Sequence, residues 1–303
     1  MKVTVVIVTY NRKEHLRQVL KIYDEIKYKI ENLIVVNNCS NDGTYELLQN
    51  WINEKSEYKK ILINMDKNLG GSGGFYEGMK KSLELDSEWV YVSDDDAYPK
   101  KNIFEVFNKF IQNNDTKEIA ALCSKVINNG EVDISHRRRI EAKKIFIKEE
   151  NVSVNEYNNN FELDLFSYVG TLINLQYIKK YGITEKDYFI YYDDTEHSLR
   201  LSKYGKIICI PEAEVMHDVP REVKGTLTWK HYYGERNNLL TIKKHYGNKY
   251  FISEYLRSKL RVIKRLFLGK FEEAKMINKG IEDARKNIQG IDKLYKPGWS
   301  INK

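Results

Sequence analysis

Three consecutive aspartates, Asp94-Asp95-Asp96, close the run Trp89-Val90-Tyr91-Val92-Ser93. Adjacent carboxylates repel one another, and half-burying them is costly without a cation. A hard divalent cation with oxygen ligands, Mg2+ or Mn2+, removes that cost and can hold a substrate diphosphate. Without a cation the same residues make a solvated acidic turn or a helix cap. A second acidic group, Asp193-Asp194-Thr195-Glu196, falls at the start of a helix pattern, where acids suit the helix dipole. A carboxylate there can also act as a general base on an attacking hydroxyl. Spacing leaves open which of Asp193, Asp194 and Glu196 acts. His217 lies beyond a short strand pattern, where a neutral imidazole can ligate a metal with Asp218 behind it. A lone histidine is more often structural.

Two further stretches carry candidate ligand chemistry. Asn68-Leu69-Gly70-Gly71-Ser72-Gly73-Gly74-Phe75 holds four glycines in five residues. This predicts a loop whose backbone approaches a ligand closely. A helix over Tyr76–Leu85 would then present free N–H groups and its dipole to a phosphate or sugar. Gly-Lys-Ser/Thr is missing, so this is no P-loop. The turn Thr9-Tyr10-Asn11-Arg12 has no glycine, so no dinucleotide fingerprint is present. Trp229–Leu240 reads as a helix with Tyr232 and Arg236 on one face. Arg236 and His231 can meet a diphosphate or an acceptor phosphate, and Tyr232 can stack on a sugar. The alternative is a helix docked on the sheet by its aromatics.

The elements that must position these residues alternate. Val3–Thr9, Asn32–Asn37, Lys60–Asn64 and Trp89–Ser93 read as strands. Glu14–Tyr28, Thr44–Trp51 and Tyr76–Leu85 read as helices between them. Apolar runs separated by helices predict an α/β fold with a mostly parallel sheet flanked by helices. Ligands of such sheets bind beyond the carboxyl ends of the strands. The loops after Val8, Val36, Asn64 and Val92 should therefore form one site. Residues 113–165 read as a loop-rich insertion or irregular hairpin containing His136-Arg137-Arg138-Arg139. Leu163–Asn174 is β-rich, Leu175–Tyr181 and Thr195–Lys203 are helical, and Lys206–Pro211 is a strand. From Leu227 the chain reads helical to Tyr295, broken near Gly247.

The chain has 303 residues, 50 Lys+Arg against 43 Asp+Glu, 42% apolar residues and only 4 Pro. These values exclude collagen, low-complexity disorder and a disulfide scaffold. Cys39, Cys123 and Cys209 lie far apart without zinc spacing. No apolar run is long enough to span a membrane, and no signal peptide is recognisable. The expected location is cytoplasmic. The net charge of +7 permits an anionic partner without requiring nucleic acid, and none is expected.

Taken together, these residues resemble family 2 glycosyltransferases of the GT-A fold, an inverting, nucleotide-sugar-dependent class. Val5–Arg12 looks like that family's first strand and donor-binding turn. Val35-Val36-Asn37-Asn38-Cys39-Ser40-Asn41-Asp42-Gly43-Thr44 looks like its second. Asp94–Asp96 matches its metal-binding acids, and Asp193-Asp194-Thr195-Glu196 with Leu199-Arg200 matches its catalytic-base segment. The likeness covers about residues 1–240. It implies Asp194 as base, Asp94, Asp96 and His217 as ligands of Mn2+ or Mg2+, and Asp95 touching the donor. Thr9, Asn11, Arg12, Asn37, Asn38, Asn68, Gly70, Gly71 and Gly74 would complete the donor site. Asn37 departs from the pattern, because many members carry an Asp there to read uracil. Within the family, Asn68–Phe75 with Asp94–Asp96 looks most like galactofuranosyltransferases, which implies UDP-galactofuranose as donor. Rhamnosyltransferases using dTDP-rhamnose are the near neighbours. A glycan or lipid-linked acceptor in surface polysaccharide synthesis follows from the same likeness. The large flanking domains of polymerising members are not recognisable, so a single linkage is expected. A nucleotidyltransferase would need glycines after the first strand, and a non-catalytic sugar-binding module would not need these acids.

The expected organisation is a catalytic domain over 1–226, with a donor half to about 112 and an acceptor half beyond it. A helical extension covers 227–303. Within the extension, Tyr255–Phe271 carries six basic residues and no acid, interleaved with apolar ones. Such a helix can lie on the anionic inner face of the plasma membrane. The alternatives are a bundle helix or the contact of a homo-oligomer.

Overall fold

The computed structural model describes residues 1–217 and 227–301. Asp218 and the expected domain end at residue 226 lie outside the described residues. The first half follows the predicted alternation: β1 (Val3–Thr9), α1 (Lys13–Glu25), β2 (Asn32–Asn37), α2 (Thr44–Asn53), β3 (Lys59–Asn64), α3 (Gly70–Ser82) and β4 (Trp89–Asp94). β1 pairs in parallel with β2 and β4, and β2 with β3. β1 and β2 are buried along their whole length, which is why they read as unbroken apolar runs.

Then come β5 (Ala97–Pro99), α4 (Ile103–Asn113), β6 (Ile119–Asn128), β7 (Glu131–Val132), β8 (Arg137–Ala142), β9 (Ile147–Asn151), β10 (Phe161–Leu163), β11 (Leu165–Phe166) and β12 (Thr171–Asn174). They are followed by α5 (Leu175–Tyr181), α6 (Asp193–Ser202) and β13 (Lys206–His217). The chain closes with α7 (Lys230–Tyr246), α8 (Asn248–Phe267) and α9 (Phe271–Arg285). The main sheet runs β10-β13-β6-β12-β4-β1-β2-β3, with β5 and β7 on its margin. β12 is antiparallel to both β4 and β6, and β13 is parallel to β6. β8, β9 and β11 form a separate three-stranded sheet. One apolar layer lies on each face of the main sheet. A further layer buries Tyr188, Leu239, Ile277 and Ile281 beneath α7–α9.

The structure departs from the expectation in four places. Residues 113–165 are not simply irregular, because β6 is an interior strand whose first six residues are buried. Its small residues, Ala120, Ala121 and Cys123, make a weak strand signal beside Asn-rich turns. β13 does not stop at Pro211. A register shift between Ile210 and Glu214 absorbs the proline, and the strand runs on to His217. The last helix ends at Arg285, and the chain to Tyr295 is non-helical. Finally, the glycine stretch is not a loop before a helix but the first turns of α3.

That last difference has a packing cause. A Cβ at Gly74 would sit 2.4 Å from Val8 Cγ1, and one at Gly78 2.3 Å from Val6 Cγ1. Glycine lets α3 lie directly on β1, and this packing overrides glycine's poor helix propensity. Gly78→Ala therefore overpacks a stiff β-branched neighbour. It should lower unfolding free energy in a denaturant titration by about 1–3 kcal/mol, and an unchanged midpoint would contradict this packing.

Candidate active site

Parallel register brings the chemistry to one edge. Thr9 pairs with Asn37, and Val8 with Asp94, so β1, β2 and β4 end together. Beyond them lies a cleft of about 500 Å3. Thr9, Arg12, Asn38, Asn68, Gly70 and Gly71 line one side. Asp94–Asp96, His217, Asp193 and Asp194 also line it, with Phe75, Tyr168, Phe189 and Tyr191 among its apolar lining.

At the end of β4, Asp94, Asp96 and His217 each offer a ligand atom, and these atoms lie within 4.8 Å of one another. Asp96 Oδ1 and His217 Nδ1 are buried without a hydrogen-bond partner. His217 Nε2 stands 3.4 Å from Asp96 Oδ1. Two carboxylates and an imidazole with unpartnered buried atoms fit a Mn2+ or Mg2+ ion. Arg12, from the turn after β1, reaches Asp96 Oδ2 and lies 3.5 Å from Asp95 Oδ1. Thr9 Oγ1 donates to Asp95 Oδ2 at 2.6 Å.

Burial and the charge of Asp96 push Asp94 up to about 6. Burial pushes Asp95 up to about 7 despite Thr9 and Arg12. Burial also acts on Asp96, but His217 and Arg12 outweigh it and hold that carboxyl below its ordinary value. His217 is raised, because Asp96 and Asp94 outweigh the effect of burial on the imidazolium.

The opposite wall depends on backbone that is rarely populated. Phe189 has φ 68° and ψ −59°, and Ile190 N donates to Tyr188 O at 2.9 Å, which is the strained form of the γ-turn. Tyr191 and Tyr192 also have positive φ, 63° and 67°. Such values are outliers for bulky residues and need outside support. Asn237 supplies it, with Nδ2 within 3.0 Å of the carbonyls of Tyr188, Ile190 and Tyr191. Arg236 Nη2 donates to Tyr188 O at 3.0 Å and Nη1 to Gly290 O at 2.6 Å. Gly70, at φ 72°, completes the support, since a Cβ there would fall 1.8 Å from Phe189 O.

The turn delivers Asp193 and Asp194 to the start of α6. Asp194 Oδ1 accepts from Thr195 N at 2.6 Å, and Arg138 Nη2 donates to Thr195 Oγ1 at 2.8 Å. Burial and the charge of Asp194 push Asp193 well above the usual carboxylate range. Burial raises Asp194 too, but Arg138 and the Thr195 N–H oppose it. Asp194 is therefore the member of the pair that ionises first.

Several expected site residues are placed elsewhere. Arg236 is fully buried and its donors are spent on carbonyls and on Asn237, so it is not a phosphate clamp. Tyr232 is buried and donates to Asp283 Oδ2 at 2.6 Å. His231 lies in a separate pocket with Leu227, Glu235 and Arg261. Glu196 is wholly buried among Arg200, Lys244 and His245. Asn37 is 1% exposed, and its amide is held by Asn64 and by Ser40 N. Asn11 Oδ1 accepts from Asn41 N and steadies the neighbouring turn. Gly74 faces Val8, not the cleft. Asn38 and Asn68 do line the cleft, and they also pin the start of α3. Asn38 Oδ1 accepts from Leu69 N, Asn38 Nδ2 donates to Asn68 Oδ1, and Asn68 Oδ1 accepts from Gly70 N.

Some cleft residues carried little sequence signal. The ring of His136 stands edge-on to His217 at 5.1 Å, and its Nδ1 lies 2.7 Å from Ser167 Oγ. Its neighbour Arg137 is buried on the carbonyls of Ser124 and Val169. Basic residues in one run thus serve different purposes. Trp229, Lys230 and Pro297 reach the cleft from the C-terminal extension.

A sheet of this order, with acids gathered at one strand end, is that of the GT-A glycosyltransferase fold. The chain belongs to the family described as Glycosyl transferase family 2, which matches residues 4–171. It is 33% identical over 97 residues to galactofuranosyltransferase GlfT1 of Mycolicibacterium smegmatis, a match covering 32% of this chain and 30% of that protein. It is 26% identical over 252 residues to dTDP-rhamnosyl transferase RfbF of Shigella flexneri, covering 80% of each. Among solved structures it resembles GalNAc-T7 with UDP, GalNAc and Mn2+, with TM-score 0.64 and 16% identity. That likeness spans 95% of this chain and 56% of the other, and it concerns the fold alone.

The buried Glu196 predicts a pH dependence. Burial disfavours its charge, but hydrogen bonds from His245 and Arg200 outweigh this and depress its folded value. Its stabilisation is present above the unfolded value near 4.3 and is lost as pH falls through the folded value. Glu196→Gln should cost about 3 kcal/mol at neutral pH and flatten the acid limb of a stability–pH profile. Equal acid sensitivity in the variant would contradict this.

Proposed function

We propose a metal-dependent inverting transfer of galactofuranose from UDP-galactofuranose to a hydroxyl of a glycan or lipid-linked acceptor in surface polysaccharide synthesis. The observation that carries the reaction is the meeting, in one cleft, of Asp94, Asp96 and His217 with the separate acid Asp194. Asp194 takes the proton of the acceptor hydroxyl, which attacks the anomeric carbon on the side opposite the nucleotide. Asp193, whose carboxyl burial and Asp194 push well above the usual range, is disfavoured as the charged member of the pair. Asp94, Asp96 and His217 would hold Mn2+ or Mg2+. A cation bound there neutralises charge developing on the leaving diphosphate. Asp95, Thr9 and Arg12 belong to the donor side. A Cβ at Gly71 would meet nothing within 4 Å, so its backbone lies open for close approach of the donor.

A specific observation favours a second donor. The likeness to the rhamnosyl transferase spans 252 residues, against 97 for the galactofuranosyltransferase. Both donors are pyrimidine nucleoside diphosphate sugars. Metal-dependent hydrolysis across a donor panel separates them, and turnover of dTDP-rhamnose but not UDP-galactofuranose would replace the first reading by the second.

Two substitutions test the residue roles. Asp194→Asn should lower turnover by about 100- to 10,000-fold while leaving UDP affinity near normal; wild-type turnover would sink the base assignment. Asp96→Ala should remove the manganese dependence of UDP binding. Wild-type affinity in both the presence and absence of manganese would count against the metal role.

A further inference from the structure

Ile252, Leu256, Leu260, Ile263 and Phe267 recur at spacings of four and three along α8. All are exposed, Phe267 by 88%. The spacing places them on one stripe, away from the buried Phe251, Glu254, Ser258 and Val262. A second exposed pair, Ile145 and Phe146, occupies the tip between β8 and β9. The Arg257 guanidinium of α8 lies 5.8 Å from the Phe146 ring and joins the two. Elements more than a hundred residues apart thus build one apolar face, which marks an interaction surface.

Charge selects the occupant. Lys259, Arg261 and Arg265 are not free: they pair with Glu282, with Glu235 and Glu254, and with Glu273. Half of the helix's basic residues therefore bind α8 into the bundle. Lys144, Lys249 and Lys264 make no ion pair among the described residues. The partner of Arg257, Glu254, sits on its own helix on the buried side. The hairpin acids Glu141, Glu149 and Glu150 are taken by Lys143, Arg138 and Lys148. A second copy docked stripe to stripe would set cation against cation, without the opposite-charge flanks that paired helices use. An interfacial helix on anionic lipid has the observed pattern, an apolar stripe edged by Lys and Arg. No helix among the described residues is long and apolar enough to cross a membrane. The geometry points to an anionic lipid surface as the partner of this face, with α8 lying in the interface and the Ile145–Phe146 tip inserted beside it.

The test is flotation of the full chain with phosphatidylcholine vesicles, with and without phosphatidylglycerol, at low and high salt. Binding should require phosphatidylglycerol and weaken with salt. Leu260→Glu with Phe267→Glu should cut partitioning by more than about tenfold. Ile145→Glu with Phe146→Glu should cut it by a smaller factor. Melting temperature and UDP affinity should stay unchanged in both, because these side chains lie on the surface outside the cleft. Failure to float at low salt, or undiminished flotation of the variants, overturns the proposal. A dimer in sedimentation that Leu260→Glu dissolves would assign the stripe to a second copy and overturn it equally.

Discussion

Repulsion among five carboxylates, Asp94, Asp95, Asp96, Asp193 and Asp194, is the constraint on which the rest of the site depends. Two unit charges 4 Å apart interact by about 4 kcal/mol at the effective dielectric near a protein surface. The chain relieves this in stages. Thr9 hydrogen-bonds Asp95, and Arg12 shares its charge between Asp95 and Asp96. Burial and the charge of Asp194 push the Asp193 carboxyl well above the usual carboxylate range. The unpartnered atoms of Asp96 and His217 are the part left unrelieved, and they lie where a cation would lie. Arg12 is then a half-exposed counter-charge on the turn after β1, placed to give way to a metal or to meet a diphosphate.

The C-terminal helices belong to this site and are not an appendage. Asn237 and Arg236 of α7 hold the strained carbonyls that precede Asp193 and Asp194. Lys244 and His245, about two turns later, anchor α6 through Glu196. The acids are thereby fixed from behind by buried polar contacts, while their front stays open to the cleft. Strain in the 189–192 backbone persists because both flanks over-determine it.

Runs with one clear cause were legible in the residues. β1, β2 and β4 are buried on both faces, so their apolar runs could mean little else, and the acids at their ends followed. What escaped was set by packing against distant partners. Gly74 and Gly78 let α3 lie on β1 and Gly70 clears the Phe189 carbonyl, contacts that propensity cannot see when it reads such a stretch as a loop. β6 was hidden by small residues and neighbouring turns. Arg236 and Tyr232 have the chemistry for a phosphate and a sugar, but an arginine satisfied by buried carbonyls looks identical in sequence. His136 reaches the cleft from the short turn before β8, held against Ser167, a contact that no local pattern reveals.

Asp94, Asp96 and His217 together would surround a cation at the end of β4. Crystals grown with Mn2+ and UDP, measured for the anomalous signal of manganese, test it directly. One peak is expected within about 2–2.5 Å of ligand atoms of all three residues, with Arg12 displaced from Asp96. A peak elsewhere, or UDP bound with Arg12 still on Asp96 and no manganese between the carboxylates, would contradict it.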